Sequence, residues 1–176
     1  MIPYSTVKAQ LINYEIFSGN GRRRLGTSEI ELPSLEFKPV DLEGAGIAGT
    51  LAMPTIGFTN SLEIGFTWRT LDEDTTEFVA QKASDFLCYG AAELYDHATG
   101  TLKNRQIKIG VRGLPKQVEL GKMAAASTMD SKTTLEIVTL KIDVDKENIV
   151  ELDKINYIFK VNGTDYVQQV RNVLNI

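Results

Sequence analysis

The amino-acid sequence predicts a mainly β (α+β) fold, an antiparallel β-sandwich or barrel with one packed central helix, a long loop and a short C-terminal helix. Three observations support this prediction. Apolar and polar residues alternate over most of the 176 residues, with the period of a half-buried strand. Turn residues such as Asn and Gly separate the alternating segments. Two segments change to a helical period. We therefore expect a single domain over residues 1–176.

The first alternating segments predict a hairpin. In "QLINYEIF", Ile12 and Ile16 lie on one face, and "SGNGRRRLG" follows as a turn. The next segment, "SEIELPSLEF", is predicted to be the return strand with Ile30 and Leu32 inward. Pro33 shifts the apolar parity within it, which predicts a bend.

The segment "SLEIGFTW" has the clearest strand pattern, because large apolar residues alternate with small or polar ones. The segment that follows, "DTTEFVAQKASDFLCYG", predicts the central amphipathic helix. Apolar residues repeat at helical spacing from Val79 to Leu87. Asp74 and Glu77 resemble a capping box, and Gly90 can end the helix.

The second half of the chain predicts further strands and a final helix. The segment "AAELYDHATGTLKNRQIKIGVRGL" indicates a hairpin that turns at Thr99 and Gly100. In "KTTLEIVTLKIDV" the apolar parity changes, which predicts a β-bulge near residue 138. "IVELDKINYIFKV" is predicted to be one strand with Ile155 and Tyr157 on its inner face, and "TDYVQQVRNVL" a short helix.

Composition and charge narrow the classes of function. A net charge of −4 argues against a dedicated nucleic-acid binder, which usually has a basic face. The single cysteine, Cys88, allows no intrachain disulfide and is predicted to be a small core residue. No signal-peptide pattern is present, so we expect residence in a cytoplasm. The uncharged span 44–62 contains too many Gly, Pro and Thr residues for a membrane span, so no membrane anchor is expected.

Gly44, Gly46 and Gly49 have the spacing of a dinucleotide-binding loop. That loop requires a buried strand before it and a helix after it. The segment before it contains Pro39 and alternates in polarity, whereas a buried parallel strand is continuously apolar. Pro54 interrupts the region where the helix would lie. A nucleotide-binding enzyme is therefore only a remote interpretation.

The same stretch carries large apolar side chains on an uncharged, glycine-rich backbone. Two interpretations remain open: a loop that folds back over its own domain, or an arm that docks on another subunit. At about 1.5–3 kcal/mol for each large apolar side chain buried, such an arm could contribute on the order of 10 kcal/mol before ordering costs. Within an extended loop over residues 40–60, the predicted inter-subunit contact residues are Gly44, Gly46, Ile47, Gly49, Leu51, Met53, Ile56 and Phe58.

No catalytic constellation is indicated. His97 is the single histidine, and it follows Asp96, but neighbouring residues on a strand point to opposite faces. A surface histidine is therefore predicted. The acidic runs at 72–77 and 143–148 lack the pattern of a calcium loop and are predicted to be solvated turns. We expect no catalytic residue, no cofactor and no metal site.

Several segments together resemble one protein family. They are "ELPSLEFK" (31–38), "GAGIAG" (44–49), "VRGLPKQVELG" (111–121) and "VELDKINYIFKVNGTDYVQQVRNVLNI" (150–176). In this order they are similar to the major tail tube proteins of contractile-tailed bacteriophages and R-type bacteriocins, and the resemblance covers nearly the whole chain. Gln117 departs from an expected acidic residue, and the final residues 175–176 depart from a more usual Gly-Leu.

The resemblance implies a structural protein without enzymatic activity. Such subunits are expected to self-assemble into hexameric rings that stack into a hollow tube, a passive conduit for DNA or ions. The implied partners are further copies of the chain, the tail sheath protein, and baseplate and tape-measure proteins, with passing DNA met without sequence-specific binding. The implied location is a virion tail or phage tail-like particle, assembled in the cytoplasm of the host bacterium. A tube protein of the type VI secretion kind, which delivers effectors, is the alternative.

A tube requires a polar lining. Strands with one apolar and one polar face can pack a core on one side and line an aqueous channel on the other. A mostly acidic lining would repel DNA and keep it from sticking. Several strands could supply that lining. The candidate residues are Glu29, Glu31, Glu63, Thr67, Lys108, Arg112, Thr134 and Glu136.

Overall fold

The structure is a computed structural model that describes residues 6–19, 23–26, 29–73, 75 and 78–175. These residues form mainly antiparallel strands, with a turn of 3-10 helix at Phe78–Ala80, helical backbone at Glu73 and Thr75 and a short α-helix near residue 170, so the predicted fold class is confirmed. The elements are β1 (Thr6–Ser18), β2 (Arg23–Leu25), β3 (Glu29–Glu31), β4 (Phe37–Leu42), β5 (Leu51–Thr59), β6 (Glu63–Trp68), β7 (Ser84–Asp96), β8 (Thr101–Glu119), β9 (Ser131–Val144), β10 (Glu147–Asp153), β11 (Ile158–Val161), β12 (Thr164–Asp165) and α1 (Gln168–Leu174).

Most strands belong to one sheet in the order β12-β11-β10-β9-β8-β7-β1-β2. β3 and β6 form a branch, because β6 pairs with the first half of β9 while β10 pairs with the second half. The change of partner coincides with a bulge. The register with β8 passes from Ile137 directly to Thr139 and leaves Val138 unpaired. The bulge predicted near residue 138 is confirmed.

The core lies between β6 and the long sheet. Phe66 of β6 contacts Phe86 of β7 with ring centroids 5.2 Å apart, although the two strands are not paired. Trp68 stacks on Phe78 of the 3-10 turn, and its indole N–H donates to Oγ1 of Thr133 at 3.0 Å. This hydrogen bond satisfies a buried donor. Every large apolar side chain of "SLEIGFTW" is at most 1% exposed, so this strand is confirmed.

The two predicted hairpins have different outcomes. β7 and β8 form the second hairpin as predicted, with Gly100 at a positive φ of 66° in the turn. After β1, the strand that returns is the short β2. The segment predicted to return contributes β3, which pairs with β6 instead. Ile30 packs against the core, but Leu32 is 57% exposed, so the inward placement of Leu32 is wrong.

The helix predicted across residues 74–90 is wrong in its second half, because β7 begins at Ser84. The residues of its capping box, 74 and 77, lie outside the described residues. Phe86 and Cys88 are both buried, which is a period of two that the intervening apolar Leu87 obscures in the sequence. β7 pairs with β1 on one side and β8 on the other. This pairing outweighs the helical spacing, since tertiary context decides between weak local preferences.

The segment predicted as one strand over 149–161 is divided by a turn. β10 ends at Asp153, whose Oδ1 accepts the backbone N–H groups of Ile155 and Asn156. Such side-chain to backbone bonds favour turns. Ile155 and Tyr157 are therefore exposed and do not lie on an inner face. The predicted C-terminal helix is confirmed as α1.

Candidate assembly surfaces

Residues 40–60 belong to a β-hairpin that forms a two-stranded sheet of its own. We call β4, β5 and the turn between them the arm. Gly44, Gly46 and Gly49 lie in that turn with φ values of 131°, 96° and 110°, a region that residues with a Cβ rarely adopt. A dinucleotide site requires a helix after these glycines, and β5 follows them instead. Their spacing therefore serves a chain reversal.

Next to its turn, one face of the arm is apolar. Val40 pairs with Met53, and Leu42 pairs with Leu51. Residues opposite each other, and residues two apart along a strand, share a face of a hairpin. The four side chains are between 37% and 53% exposed, and we call them the apolar face. Val40 and Leu42 were not among the predicted contact residues, although their alternation around Asp41 is the signal that identifies them.

The base of the arm packs on the C-terminal part of the chain. A Cβ placed on Gly57 would lie 2.3 Å from Cγ1 of Val167. The rings of Phe58 and Tyr157 contact each other at 6.4 Å between centroids. The interpretation that this segment folds back over its own domain therefore holds for the base of the arm and not for its apolar face.

The predicted contact residues lie in three parts of the arm: the apolar face, the turn and the base. Leu51 and Met53 come together on the apolar face, and Phe58 lies at the base. Ile47 lies in the turn and is 37% exposed, and Ile56 is 62% exposed near the base. Their role between subunits stays a prediction.

An ion pair holds the C-terminal helix against β12 and the turn before β11, beside the base of the arm. Arg171 donates to both carboxylate oxygens of Asp165, at 3.5 and 2.5 Å, and to the carbonyl oxygen of Tyr157 at 2.6 Å. The hydrogen bond from Arg171 lowers the pKa of Asp165 below its ordinary value. Val167, only 4% exposed, lies between Asp165 and Arg171 in sequence, and its side chain is the one that a Cβ on Gly57 of the arm would meet. These contacts fix the position at which the arm leaves the body of the protein.

The polar candidates for a channel lining fall into two groups. Lys108 and Arg112 lie on β8, where Lys108 is 5.8 Å from the ring centre of Tyr89 and Arg112 is 3.7 Å from Asp85. The other group lies on the face of β3, β6 and β9 that points away from the core. It consists of Glu29, Glu31, Glu63, Thr67, Thr134 and Glu136.

Lysine side chains compensate three carboxylates of the second group. Burial acts to raise the pKa of Glu136, but hydrogen bonds from Lys154 and Ser61 outweigh it and lower that pKa. A lining made by this face would therefore carry both signs of charge. The ion pairs are Glu31 with Lys132, Glu63 with Lys116, and Glu136 with Lys154.

His97, Asp96 and Cys88 are the remaining residues considered for catalysis or metal binding. His97 is exposed, whereas Asp96 is paired with Lys103 at 3.1 Å, a contact that lowers the pKa of Asp96. Cys88 is 4% exposed, and burial raises the pKa of its thiol to about 12, as expected of an inert core cysteine. The described part of the chain contains no cluster of three or more side chains suited to a metal ion.

None of the helices described in this chain has the length and apolar character needed to cross a bilayer. The protein has antiparallel strands around one core and charged outer strand faces. It also has an arm with an exposed apolar face. These features are typical of a β-sheet subunit that assembles with other subunits. The family model for phage tail tube protein FII matches residues 8–174. The chain belongs to this family, and the resemblance seen in the sequence is confirmed.

A characterised relative and two solved structures agree with this assignment. The tail tube protein of Escherichia phage P2 is 26% identical over 161 residues, which cover 89% of this chain and 92% of that protein. Chains of the PVC extracellular contractile injection system, from the sheath/tube terminator and the sheath-tube complex in the extended state, have TM-scores of 0.53 and 0.51. Each alignment covers 81% of this chain, and 96% and 91% of those chains, at 12% identity. At that identity the likeness shows a common fold.

Proposed function

We propose that the protein assembles into hexameric rings that stack into the hollow inner tube of a contractile phage tail or phage tail-like particle. The observation that carries this proposal is the apolar face of the arm. Four large aliphatic side chains lie exposed on a hairpin that leaves the body of the protein. A contiguous exposed apolar surface of this kind is typical of a protein-protein contact.

The energetics support assembly through the arm. Full burial of an exposed large apolar side chain contributes about 1.5–3 kcal/mol. The four side chains are about half exposed, so completing their burial contributes on the order of 5 kcal/mol in total. Part of that gain is normally lost in ordering a flexible loop. The arm is already a paired hairpin with its base fixed by Gly57 and Phe58, so this loss is reduced.

The tube would be a passive conduit without enzymatic activity. Its outer surface would contact a sheath protein, and its ends would contact baseplate and tape-measure proteins. DNA or ions would pass along polar strand faces without sequence-specific binding. Assembly would take place in the cytoplasm of the host bacterium. Because injection-system chains share this fold, a secretion-type tube that delivers effectors is the second candidate, and the two differ in cargo.

Electron microscopy of the purified protein and of two lysine variants tests the proposal. Met53→Lys places a charge on the apolar face, and we expect it to abolish rings and tubes. Ala52→Lys places the same charge on the opposite face of the same strand, across from Asp41, and we expect normal tubes. Both variants should unfold like the unchanged protein, within about 0.5 kcal/mol, because both positions are exposed. Normal tubes formed by Met53→Lys would contradict the proposal.

A further inference from the structure

A second apolar surface lies where β3 crosses β1, β7 and β8. It is a cavity of about 270 Å³, and no residue lining it is charged. We call it the edge pocket. Its lining includes Leu11, Tyr14, Ile30, Leu32, Ile107 and Ile109.

The edge pocket is an opening of the hydrophobic core. Tyr14, Ile30 and Ile107 are partly buried and pack against the core residues. At the rim, Leu11 and Leu32 are 52% and 57% exposed. An apolar cavity of about 150 Å³ can hold a benzene molecule, so the edge pocket has room for one or two aliphatic side chains. A side chain inserted there would extend the core.

The edge pocket and the arm lie toward opposite ends of the long sheet. The base of the arm contacts the chain next to β11, through Phe37 on Phe159 and Phe58 on Tyr157. The edge pocket lies on β8, β7 and β1, which are three to five places from β11 in the sheet order. Five strand spacings of about 4.8 Å, roughly 24 Å in all, separate β11 from β1 in the sheet order. The arm does not line the pocket of its own subunit.

We propose that the apolar face of the arm docks in the edge pocket of a second copy of this chain. The two surfaces match in character, since both are mainly apolar and neither carries a charge. Two different complementary patches toward opposite ends of one subunit form a head-to-tail contact, and such contacts generate closed rings or continuous stacks. The inference rests on the proposed tube and names the surface that receives the arm.

Disulfide cross-linking in the full-length protein tests this contact. In a Cys88→Ala background, Leu32→Cys at the rim of the pocket is combined with Met53→Cys on the apolar face, and tubes are oxidised and separated without reductant. We expect interchain cross-links that extend to a closed ring. The matched control combines Met53→Cys with Leu102→Cys, because residue 102 is 63% exposed and lies outside the pocket. We expect no cross-linked ladder from the control.

The outcomes separate this inference from the proposed function. Tubes of the unchanged protein together with a cross-linked ladder support both. Tubes without cross-links, or cross-links within one chain, overturn the docking and leave the tube standing. If the unchanged protein forms no tubes, the proposed function fails and the docking fails with it.

A second pair of variants covers the case in which the double cysteine variant does not assemble. Leu32→Lys should lose ring and tube formation, and Leu102→Lys should keep it, while the thermal unfolding of both stays unchanged. Normal tubes from Leu32→Lys overturn the docking, as does an equal loss from both lysine variants.

Discussion

β6 and the end of the arm next to its turn both place a large apolar residue at every second position, but in opposite environments. In β6, Ile64, Phe66 and Trp68 are at most 1% exposed, because the long sheet covers them. In the arm, Leu51 and Met53 alternate in the same way but are 50% and 53% exposed. Alternation thus shows that a strand has one face to bury, and it does not show which chain supplies the cover. The contrast assigns β6 to folding and the arm to association.

Phe66→Ala should reduce the free energy of unfolding more than any other variant considered. It tests whether β6 belongs to the folded core. Phe66 contacts both Trp68 and Phe86, so its removal leaves a cavity in the core. We expect the free energy of unfolding to fall by about 3–5 kcal/mol, measured by chemical denaturation of the unassembled protein. A loss below about 1 kcal/mol would mean that β6 is no better covered than the arm.

Gly57→Ala tests whether the base of the arm belongs to the folded body. Position 57 has a φ of 76°, and an added Cβ would meet Val167. We expect a loss of about 1–3 kcal/mol in the free energy of unfolding. Gly100→Ala is the matched control, since its φ is 66° and nothing lies within 4 Å of an added Cβ. An equal loss at both positions would show that only backbone strain is involved and that the contact with Val167 contributes nothing.

Arg171→Ala tests the contacts that join α1 to β12 and to Tyr157, the residue on which Phe58 of the arm packs. The variant removes the ion pair with Asp165 and the hydrogen bond to the carbonyl oxygen of Tyr157. We expect a local loss of about 1–2 kcal/mol, read as faster amide hydrogen exchange in α1 and β5 with unchanged exchange in β6. Faster exchange in β6 as well would contradict the division between these contacts and the core.

The pH dependence of hydrogen exchange in α1 also distinguishes the contacts of α1 from the core around β6. The pKa of Asp165 is lowered in the folded protein, so its contribution is present above the ordinary Asp pKa of about 3.9 and is lost as the pH falls through the lowered value. We expect hydrogen exchange in α1 to accelerate over that acid range before β6 is affected. Asp165→Asn should remove this step, and its persistence in the variant would assign the step to another carboxyl group.

Met53→Ala should have the smallest effect on folding. Its side chain is 53% exposed, so we expect the free energy of unfolding of the isolated subunit to change by less than about 0.5 kcal/mol. Calorimetry of unassembled protein measures this. A loss above about 1 kcal/mol would show that the apolar face is packed on its own domain in solution.

The parts of the fold that local pattern determines could be predicted from the sequence. The segment "SLEIGFTW" could be predicted as a strand, because its apolar residues alternate and no helical period competes. The bulge at Val138 could be predicted from the change in the alternation of apolar residues within β9. The family resemblance was also readable, and the family match confirms it.

The failures concern pairings between segments that are distant in sequence. Residues 84–90 have apolar residues at helical spacing. They form part of strand β7 because their backbone pairs with β1 on one side and with β8 on the other. β3 pairs with β6, more than thirty residues later in the chain, and not with β1, the strand with which its segment was predicted to form a hairpin. Leu51 and Met53 could be predicted as contact residues, because they are large apolar residues in an uncharged, glycine-rich segment. The edge pocket did not, because four strands from different parts of the chain line it.

The sharing of β9 between β6 and β10 also determines where this chain can change in length. Because side chains alternate along a strand, one residue inserted between 131 and 144 would exchange the inner and outer faces of all that follows. The error would reach both ladders on that side of β9 and the β8 ladder on the other. An insertion at 44–49 would only enlarge a turn. Residues can therefore be gained or lost where the arm turns, while β9 keeps a fixed number of residues.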